Sequence, residues 1–144
     1  MRCEEIMKRR LHTIPPELPV NDAARLMKTE QIGFLPICNA QGYALGGLSE
    51  RDIVLRLCAE DLPGKTTSVG QIMTPCPVHC HASDSLDHAE KLMLKHETER
   101  ILIVDDDGKL TGLITMAEIA QHEAPYTTAR WVRELSAKRF RFEH

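Results

Sequence analysis

Aromatic side chains are scarce: one Trp, two Tyr and three Phe among 144 residues, 4% of the chain. So sparse a set argues against a stacking platform for single-stranded nucleic acid. Positive charge is not in surplus either. Eighteen Lys and Arg stand against 21 Asp and Glu, giving a formal net charge of −3 and a pI of about 6.2. The basic excess of a nucleic-acid-binding domain is missing. There is no run of about 18 apolar residues, so no transmembrane helix and no membrane partner are expected. Met1-Arg2-Cys3-Glu4-Glu5 turns acidic at once, which predicts no ordinary signal peptide and a reducing, cytoplasmic location. There the five cysteines, an odd number, are expected as free thiols. Cys38 and Cys58 sit in apolar stretches and read as small buried hydrophobes. Catalytic signatures are absent as well: no Gly-x-Ser-x-Gly, no Walker lysine loop, no His-Glu-x-x-His. Ser49-Glu50-Arg51-Asp52 has no adjacent His base. The chain is therefore expected not to be an enzyme.

What is present is an internal repeat. An offset of 66 aligns residues 6–54 with 72–120 without a gap and gives nine identities. Average composition would give about three. The pairs are Ile6/Ile72, Met7/Met73, Ala23/Ala89, Leu26/Leu92, Met27/Met93, Ile37/Ile103, Gly42/Gly108, Gly46/Gly112 and Ile53/Ile119. Val20, Ala23, Ala24, Met27 and Gln31 recur at helical spacing, and Leu86, Ala89, Leu92 and Met93 repeat the pattern. Phe34 to Cys38 and Ile101 to Val104 are short apolar runs of strand type. Asn39-Ala40-Gln41-Gly42 and Asp105-Asp106-Asp107-Gly108 predict turns. Second strands are expected over Tyr43 to Leu48 and Lys109 to Ile114. Ser49 and Thr115 then cap helices, with Asp52 and Glu118 three residues on. Each copy is preceded by a short extended segment, Leu11 to Ile14 and Pro77 to Cys80. Beyond Ala120, Thr127 or Thr128 is expected to cap a last helix.

Taken together, Ile-Met, Ala-x-x-Leu-Met, Gly-Phe-Leu-Pro-Ile, the glycine turn and Gly-Gly-Leu-Ser-Glu-Arg-Asp-Ile resemble a CBS domain, a module first described in cystathionine β-synthase. The two copies resemble a stand-alone tandem CBS pair, or Bateman module, over residues 3–120. The resemblance implies an α/β (α+β) fold of two β-α-β-β-α repeats packed with pseudo-two-fold symmetry. It divides the chain into repeat one at 3–59, a linker at 60–68, repeat two at 69–121 and a C-terminal helical extension at 122–144. It further implies a regulatory, signal-transducing protein that binds an adenosyl nucleotide (AMP, ADP, ATP, NAD or S-adenosylmethionine) in clefts between the repeats. Ligand would shift the conformation and so modulate an unidentified protein target. A homodimer is implied too, since isologous contact between like helices is common.

The family motif Gly-h-x-[Ser/Thr]-x-x-Asp falls on Gly46, Ser49 and Asp52. A carboxylate there would accept both ribose hydroxyls. Arg51, with Arg56, would meet a phosphate. Adenine would lie against the backbone of Gly33, Phe34, Leu35 and Pro36, with Thr13 and Ile14 closing the slot. The second copy departs from this pattern. Thr115 is kept, but Glu118 replaces Asp, and one extra methylene misplaces a carboxylate meant for a diol at a cost of about 1–3 kcal/mol. Glu99-Arg100-Ile101-Leu102 replaces the apolar run, and His79 stands at the offset of Thr13. One good site is expected, with a degraded or empty second one at His79, Arg100, Ile101, Leu102, Thr115 and Glu118. The motif does not choose among ligands that share the adenosine half.

Plainer roles fit the same residues. Ser49 and Asp52 form a capping box in any helix, Gly33 to Pro36 read as a core strand, and Arg51 and Arg100 as solvated charges. A ligand-free CBS scaffold is the alternative function. A Cys/His metal or redox sensor is the third. Cys76, His79, Cys80 and His81 are all metal-ligating types within six residues, although strand alternation puts both histidines opposite Cys80. Trp131 is expected to pack, and Phe140 and Phe142 to complete an interface or dock a partner.

Overall fold

The computed structural model describes residues 1–75 and 77–143, with side chains through Lys138. The chain forms two compact units, His12–Pro77 on one hand and Met1–Leu11 with Val78–His144 on the other. These units cut across the sequence repeat, because the Ile-Met segment that opens each copy packs with the other copy.

In the unit His12–Pro77, helix α1 (Val20–Glu30) is followed by strands β1 (Phe34–Cys38) and β2 (Ala44–Ser49). A short helix α2 (Glu50–Asp52) runs on as a π-helical stretch, Ile53–Cys58. Helix α3 (Val69–Ile72) then leads into strand β3 (Thr74–Pro75). The sheet order is β1-β2-β3, antiparallel throughout, and Ile14 adds a parallel bridge to Ile37. Val20, Ala23, Leu35, Ile37, Leu48 and Val69 are fully buried and form the core with Ile14, Met27, Leu57 and Ile72. Each large aliphatic side chain so buried contributes about 1.5–3 kcal/mol. The predicted helix stops at Glu30, because Gln31 turns left-handed at φ 56°. Its counterpart by offset, Glu97, does the same at φ 53°.

The second unit repeats the plan. Strand β4 (His79–His81), helix α4 (Leu86–Lys95), strands β5 (Arg100–Val104) and β6 (Leu110–Thr115) and helix α5 (Met116–His122) correspond to the first copy. Strand β4 pairs parallel to β5, β6 antiparallel, and Lys8 bridges to Leu113 on the far edge. Both predicted turns form. The Asn39 carboxamide accepts from the amides of Gln41 and Tyr43, the Asp105 carboxylate from those of Asp107 and Lys109. Gly42 and Gly108 supply the positive φ that other residues resist.

The Ile-Met identities are explained by exchange. Thr74 pairs with Gly47 in one unit, and Lys8 with Leu113 in the other, which are the same positions 66 apart. A Cβ on Gly46 would lie 2.6 Å from the Met73 sulfur, and one on Gly112 would lie 2.6 Å from that of Met7. Each paired glycine therefore exists to admit the paired methionine.

Two expectations are corrected. The last helix, α6, starts at Pro125 and runs to Glu143. Proline suits the first helical position, where its missing N–H is not needed, so Thr127 and Thr128 lie inside the first turn and cap nothing. Cys58 is exposed, because it sits on the outward side of the π-helical stretch. Trp131 packs as expected: it and Leu135 join the core of the second unit. The Trp131 indole N–H donates to the Glu90 carbonyl at 3.2 Å, and the Lys138 ammonium donates to the Leu94 carbonyl at 2.7 Å. The side chains of Phe140 and Phe142 lie outside the described residues.

Glu90 is the costly residue of this packing. It is buried on α4, and among the described residues its Oε1 has no hydrogen-bond partner. Burial, a hydrogen bond with Glu123 and the charges of Glu123 and Asp87 outweigh Arg130 and push its pKa up to about 7. The folded state thus holds a proton that the unfolded chain releases near pH 4.3. Stability falls as pH rises between those values, and the cost is complete above them. Glu90→Gln is expected to raise the melting midpoint at pH 8 by several degrees and to change it little at pH 5, as measured by calorimetry at both pH values.

Candidate functional site

Strand alternation gives each sheet two faces. In the unit His12–Pro77, Leu35, Ile37 and Leu48 point into the core. Phe34 and Pro36 therefore project from the opposite face. Their cross-strand partners Ser49 and Gly47, and Thr74 opposite Gly47, share it. The Phe34 ring lies on Gly47, where an added Cβ would come within 2.5 Å of it. Glycine at 47 thus makes a flat bed for an aromatic ring.

Asp52 reaches the same place. Ser49 ends β2 and caps α2: the Asp52 amide donates to the Ser49 hydroxyl at 3.1 Å, and the Ser49 amide donates to Asp52 Oδ2 at 2.9 Å. That box fixes the carboxylate at the strand–helix junction. Its other oxygen, Oδ1, accepts from the Thr74 hydroxyl at 3.2 Å and lies 3.7 Å from Arg56 Nε. Arg56 also donates to the Met73 carbonyl at 3.0 Å. It ties the π-helical stretch to the exchanged segment. Asp52 is only 8% exposed, yet Oδ1 is held by one hydroxyl and one half-exposed cation. Both are donors that a sugar diol can replace.

All ten residues expected at the first site fall in this one unit. The backbone of Gly33 to Pro36 is already engaged at two carbonyls: Gly33 accepts from the Glu50 amide and Pro36 from the Ile14 amide. The Leu35 side chain belongs to the core, Ile14 is buried, and Thr13 and Arg51 are exposed. Gly46 serves the Met73 contact. Sequence reasoning missed Gly47 and Thr74. The signal was available: Thr74 follows Ile72-Met73 as Lys8 follows Ile6-Met7.

The second copy keeps the frame and changes the surface. Arg100 and Leu113 stand where Phe34 and Gly47 stand, and Lys8 takes the place of Thr74. Leu102 and Leu113 are buried and His79 is exposed. The Thr115 amide donates to Glu118 Oε2 at 2.8 Å, as does the Thr115 hydroxyl, and Lys8 Nζ lies 3.3 Å from Oε1. Burial alone would raise the Glu118 pKa. The Thr115 hydrogen bonds and the Lys8 charge outweigh it and hold the carboxyl below its ordinary range. The longer carboxylate thus meets a lysine where the shorter one meets a threonine.

Of the Cys/His cluster, the described residues His79, Cys80 and His81 do not gather on one face. His79 and His81 project opposite the buried Cys80, and the His81 ring Nδ1 contacts the Val104 carbonyl at 3.1 Å. Cys76 lies outside the described residues. Among the described residues no group of three or more His, Cys, Asp or Glu is placed to hold a metal ion. No helix among them is long and apolar enough to cross a membrane.

A CBS domain family model matches residues 3–58 and again residues 69–124. The CBS domain-containing protein YhcV of Bacillus subtilis is 32% identical over 120 residues, spanning 83% of this chain and 84% of that protein. The crystal structure of Hypoxic Response Protein I with two coordinated zinc ions has a TM-score of 0.78 at 27% identity, covering 86% of this chain and all (100%) of that one. The structure of CBSX2, from Arabidopsis thaliana, in complex with AMP has a TM-score of 0.72 at 28% identity, covering 83% and 93% of the two chains.

Glu118 carries a stability prediction. A carboxyl held low stabilises the fold above its unfolded pKa and loses that contribution as pH falls through its folded one. Glu118→Gln is expected to lower the melting midpoint at pH 7 and to flatten the decline below about pH 4.5, as read in a thermal-denaturation series from pH 7 to pH 2.5.

Proposed function

The chain belongs to the CBS domain family as a tandem pair, and from that premise we propose that it is a regulatory adenosyl-nucleotide sensor with no catalytic activity of its own. The ligand lies on the sheet face away from the core of unit His12–Pro77. One observation carries this reading: the Phe34 ring on Gly47 and the Asp52–Thr74 contact share that face. An aromatic plane beside a carboxylate with exchangeable donors suits a purine nucleoside. The base lies against Phe34, and the two ribose hydroxyls replace Thr74 and Arg56 at Oδ1. Exposed Arg51 and the freed Arg56 are then available to phosphate. CBSX2, whose structure holds AMP, supports the ligand class.

The regulatory step follows from the competition. Thr74 lies in β3, only two residues long. A ligand that takes Asp52 from Thr74 loosens β3, and it favours the conformation in which that contact is already broken. The nucleotide thereby acts on the exchanged segment, and through it on a protein target in the same compartment, which we take to be cytoplasmic. The second copy, with Leu113 and Arg100 in place of Gly47 and Phe34, takes no adenosyl ligand. A ligand-free scaffold is the second reading, favoured by the fact that both Asp52 oxygens already have partners within the chain.

Thermal shift with AMP, ADP, ATP, NAD and S-adenosylmethionine separates the two. At 100 times its Kd a ligand adds about 2.7 kcal/mol to the folded state, several degrees in midpoint at this size. One adenosyl ligand is expected to give that shift, and Asp52→Asn to abolish it while Glu118→Gln leaves it unchanged. No shift with any of them, in protein shown to be free of bound nucleotide, would favour the scaffold. We also propose a homodimer; light scattering is expected to give twice the 16.3 kDa chain mass.

A further inference from the structure

Two cysteines far apart in sequence meet inside the second unit. Cys3 sits in a single 3-10 turn (Cys3–Glu5), and Cys80 is the middle residue of β4. Their sulfurs are 3.8 Å apart and share a hydrogen bond, across a sequence separation of 77 residues. Both are buried, at 0% and 3% exposure. The turn is laid against the chain after β4 by three backbone bonds: Cys3 amide to the Asp84 carbonyl, Glu4 amide to the Ala82 carbonyl, and Leu86 amide to the Met1 carbonyl. The pair is held in place by backbone on both sides. Neither thiol has a role in the nucleotide site.

We propose that Cys3 and Cys80 are a peroxide-oxidised dithiol site, which closes to a disulfide and covalently fixes the exchanged N-terminal segment to β4. Transient opening of the one-turn segment admits hydrogen peroxide to the Cys3 sulfur. The Cys3 thiolate attacks one peroxide oxygen, the O–O bond breaks, and Cys3 sulfenic acid and water are formed. When the turn closes, the Cys80 sulfur attacks the Cys3 sulfur. The S–O bond breaks, the second oxygen leaves as water, and the S–S bond remains. Both thiol protons end in water, the two sulfurs lose two electrons, and peroxide is reduced.

Cys3 is the peroxidatic partner on physical grounds. The hydrogen bond shared by the two sulfurs favours a Cys3 thiolate and outweighs burial, holding Cys3 below the ordinary thiol range. The same bond, with burial, pushes Cys80 up. A lowered attacking thiol beside a protonated resolving one is the arrangement that two-step oxidation uses. The consequence reaches the rest of the segment. Met7 on Gly112 and Lys8 on Glu118 lie a few residues further along. A bond at Cys3 holds this segment near its docking place even when these contacts open.

The test uses full-length reduced protein exposed to hydrogen peroxide, alkylated, digested and mapped by mass spectrometry. The expected result is a loss of two hydrogens and a Cys3–Cys80 linked peptide. Fragment ions must separate Cys80 from Cys76, since both fall in one tryptic peptide. The melting midpoint should rise by roughly 5–15 °C, for a closed loop of this length, and return on dithiothreitol treatment. In Cys80→Ala, dimedone should label Cys3. Cys3 and Cys80 both still alkylatable after peroxide, a link between any other pair, or sulfinic acid at Cys3 without a link would each overturn the proposal. The wild-type mapping decides this whether or not the variant folds.

Discussion

Everything in this fold depends on two close approaches of a methionine to a glycine. Met73 lies on Gly46 and Met7 on Gly112, each so near that a methyl group would collide with sulfur. Side chains in a core tolerate little extra volume, and inserting even one methyl costs about 1–3 kcal/mol. The contact therefore fixes both residues at once. It places the segment after the methionine along β2 in one unit and along β6 in the other. Because the methionine belongs to the opposite repeat, the first sheet takes strand β3 from the other repeat's residues, and the second takes the Lys8 bridge at its edge. The two compact units are built from both.

That constraint sets the electrostatics of the two capping carboxylates. The residue after each methionine arrives beside the carboxylate at the third position of the following helix. Thr74 meets Asp52 at 3.2 Å, and Lys8 meets Glu118 at 3.3 Å. A short carboxylate with a neutral hydroxyl and a long one with an ammonium are two solutions to one geometry. Asp52 also faces Arg56, 3.7 Å from Oδ1, so each carboxylate keeps a cation and only Asp52 has a neutral hydroxyl beside it as well. A neutral hydroxyl is displaced by another hydroxyl with little change in charge, and in the proposed reading that is the step a ribose takes at Asp52. The surrounding residues agree, since Gly47 and Phe34 leave a platform where Leu113 and Arg100 fill one.

Much of this was legible in the sequence. The strand β1 and both glycine turns follow from apolar runs and turn chemistry, and the Ser49 and Thr115 caps from the spacing of their carboxylates. The Gly46/Gly112 and Met7/Met73 identities were visible, but not that they touch. A one-dimensional repeat aligns residues with their own counterparts, whereas the exchange joins each residue to the counterpart's neighbour. Gly47 and Thr74 were missed for the same reason, since their partners in the second copy, Leu113 and Lys8, differ in size and charge. The start of α6 was misjudged because Thr127 and Thr128 offered capping hydroxyls, while Pro125 two residues earlier is favoured at a first helical position. The π-helical stretch left no signal, and its exposed Cys58 was read as buried on apolar neighbours alone.

The two units carry unequal polar loads. The unit His12–Pro77 buries one carboxylate, Asp52, and satisfies both its oxygens. The other buries Glu90 and Glu118, leaves Glu90 Oε1 and Thr128 Oγ1 without a partner among the described residues, and encloses the Cys3 and Cys80 thiols. Both unpartnered groups belong to the helices α4 and α6, where the C-terminal helix adds a surface that the first copy lacks. Trp131 and Leu135 account for the trade. The cost of the carboxylate beneath them is small while Glu90 keeps its proton and grows as it ionises. Above neutrality the same helix is held by the indole–carbonyl bond and Lys138 against a growing charge beneath it. The unit in which Leu113 and Arg100 replace Gly47 and Phe34 is therefore also the one that carries Glu90, raised toward neutrality, and the paired thiols of Cys3 and Cys80.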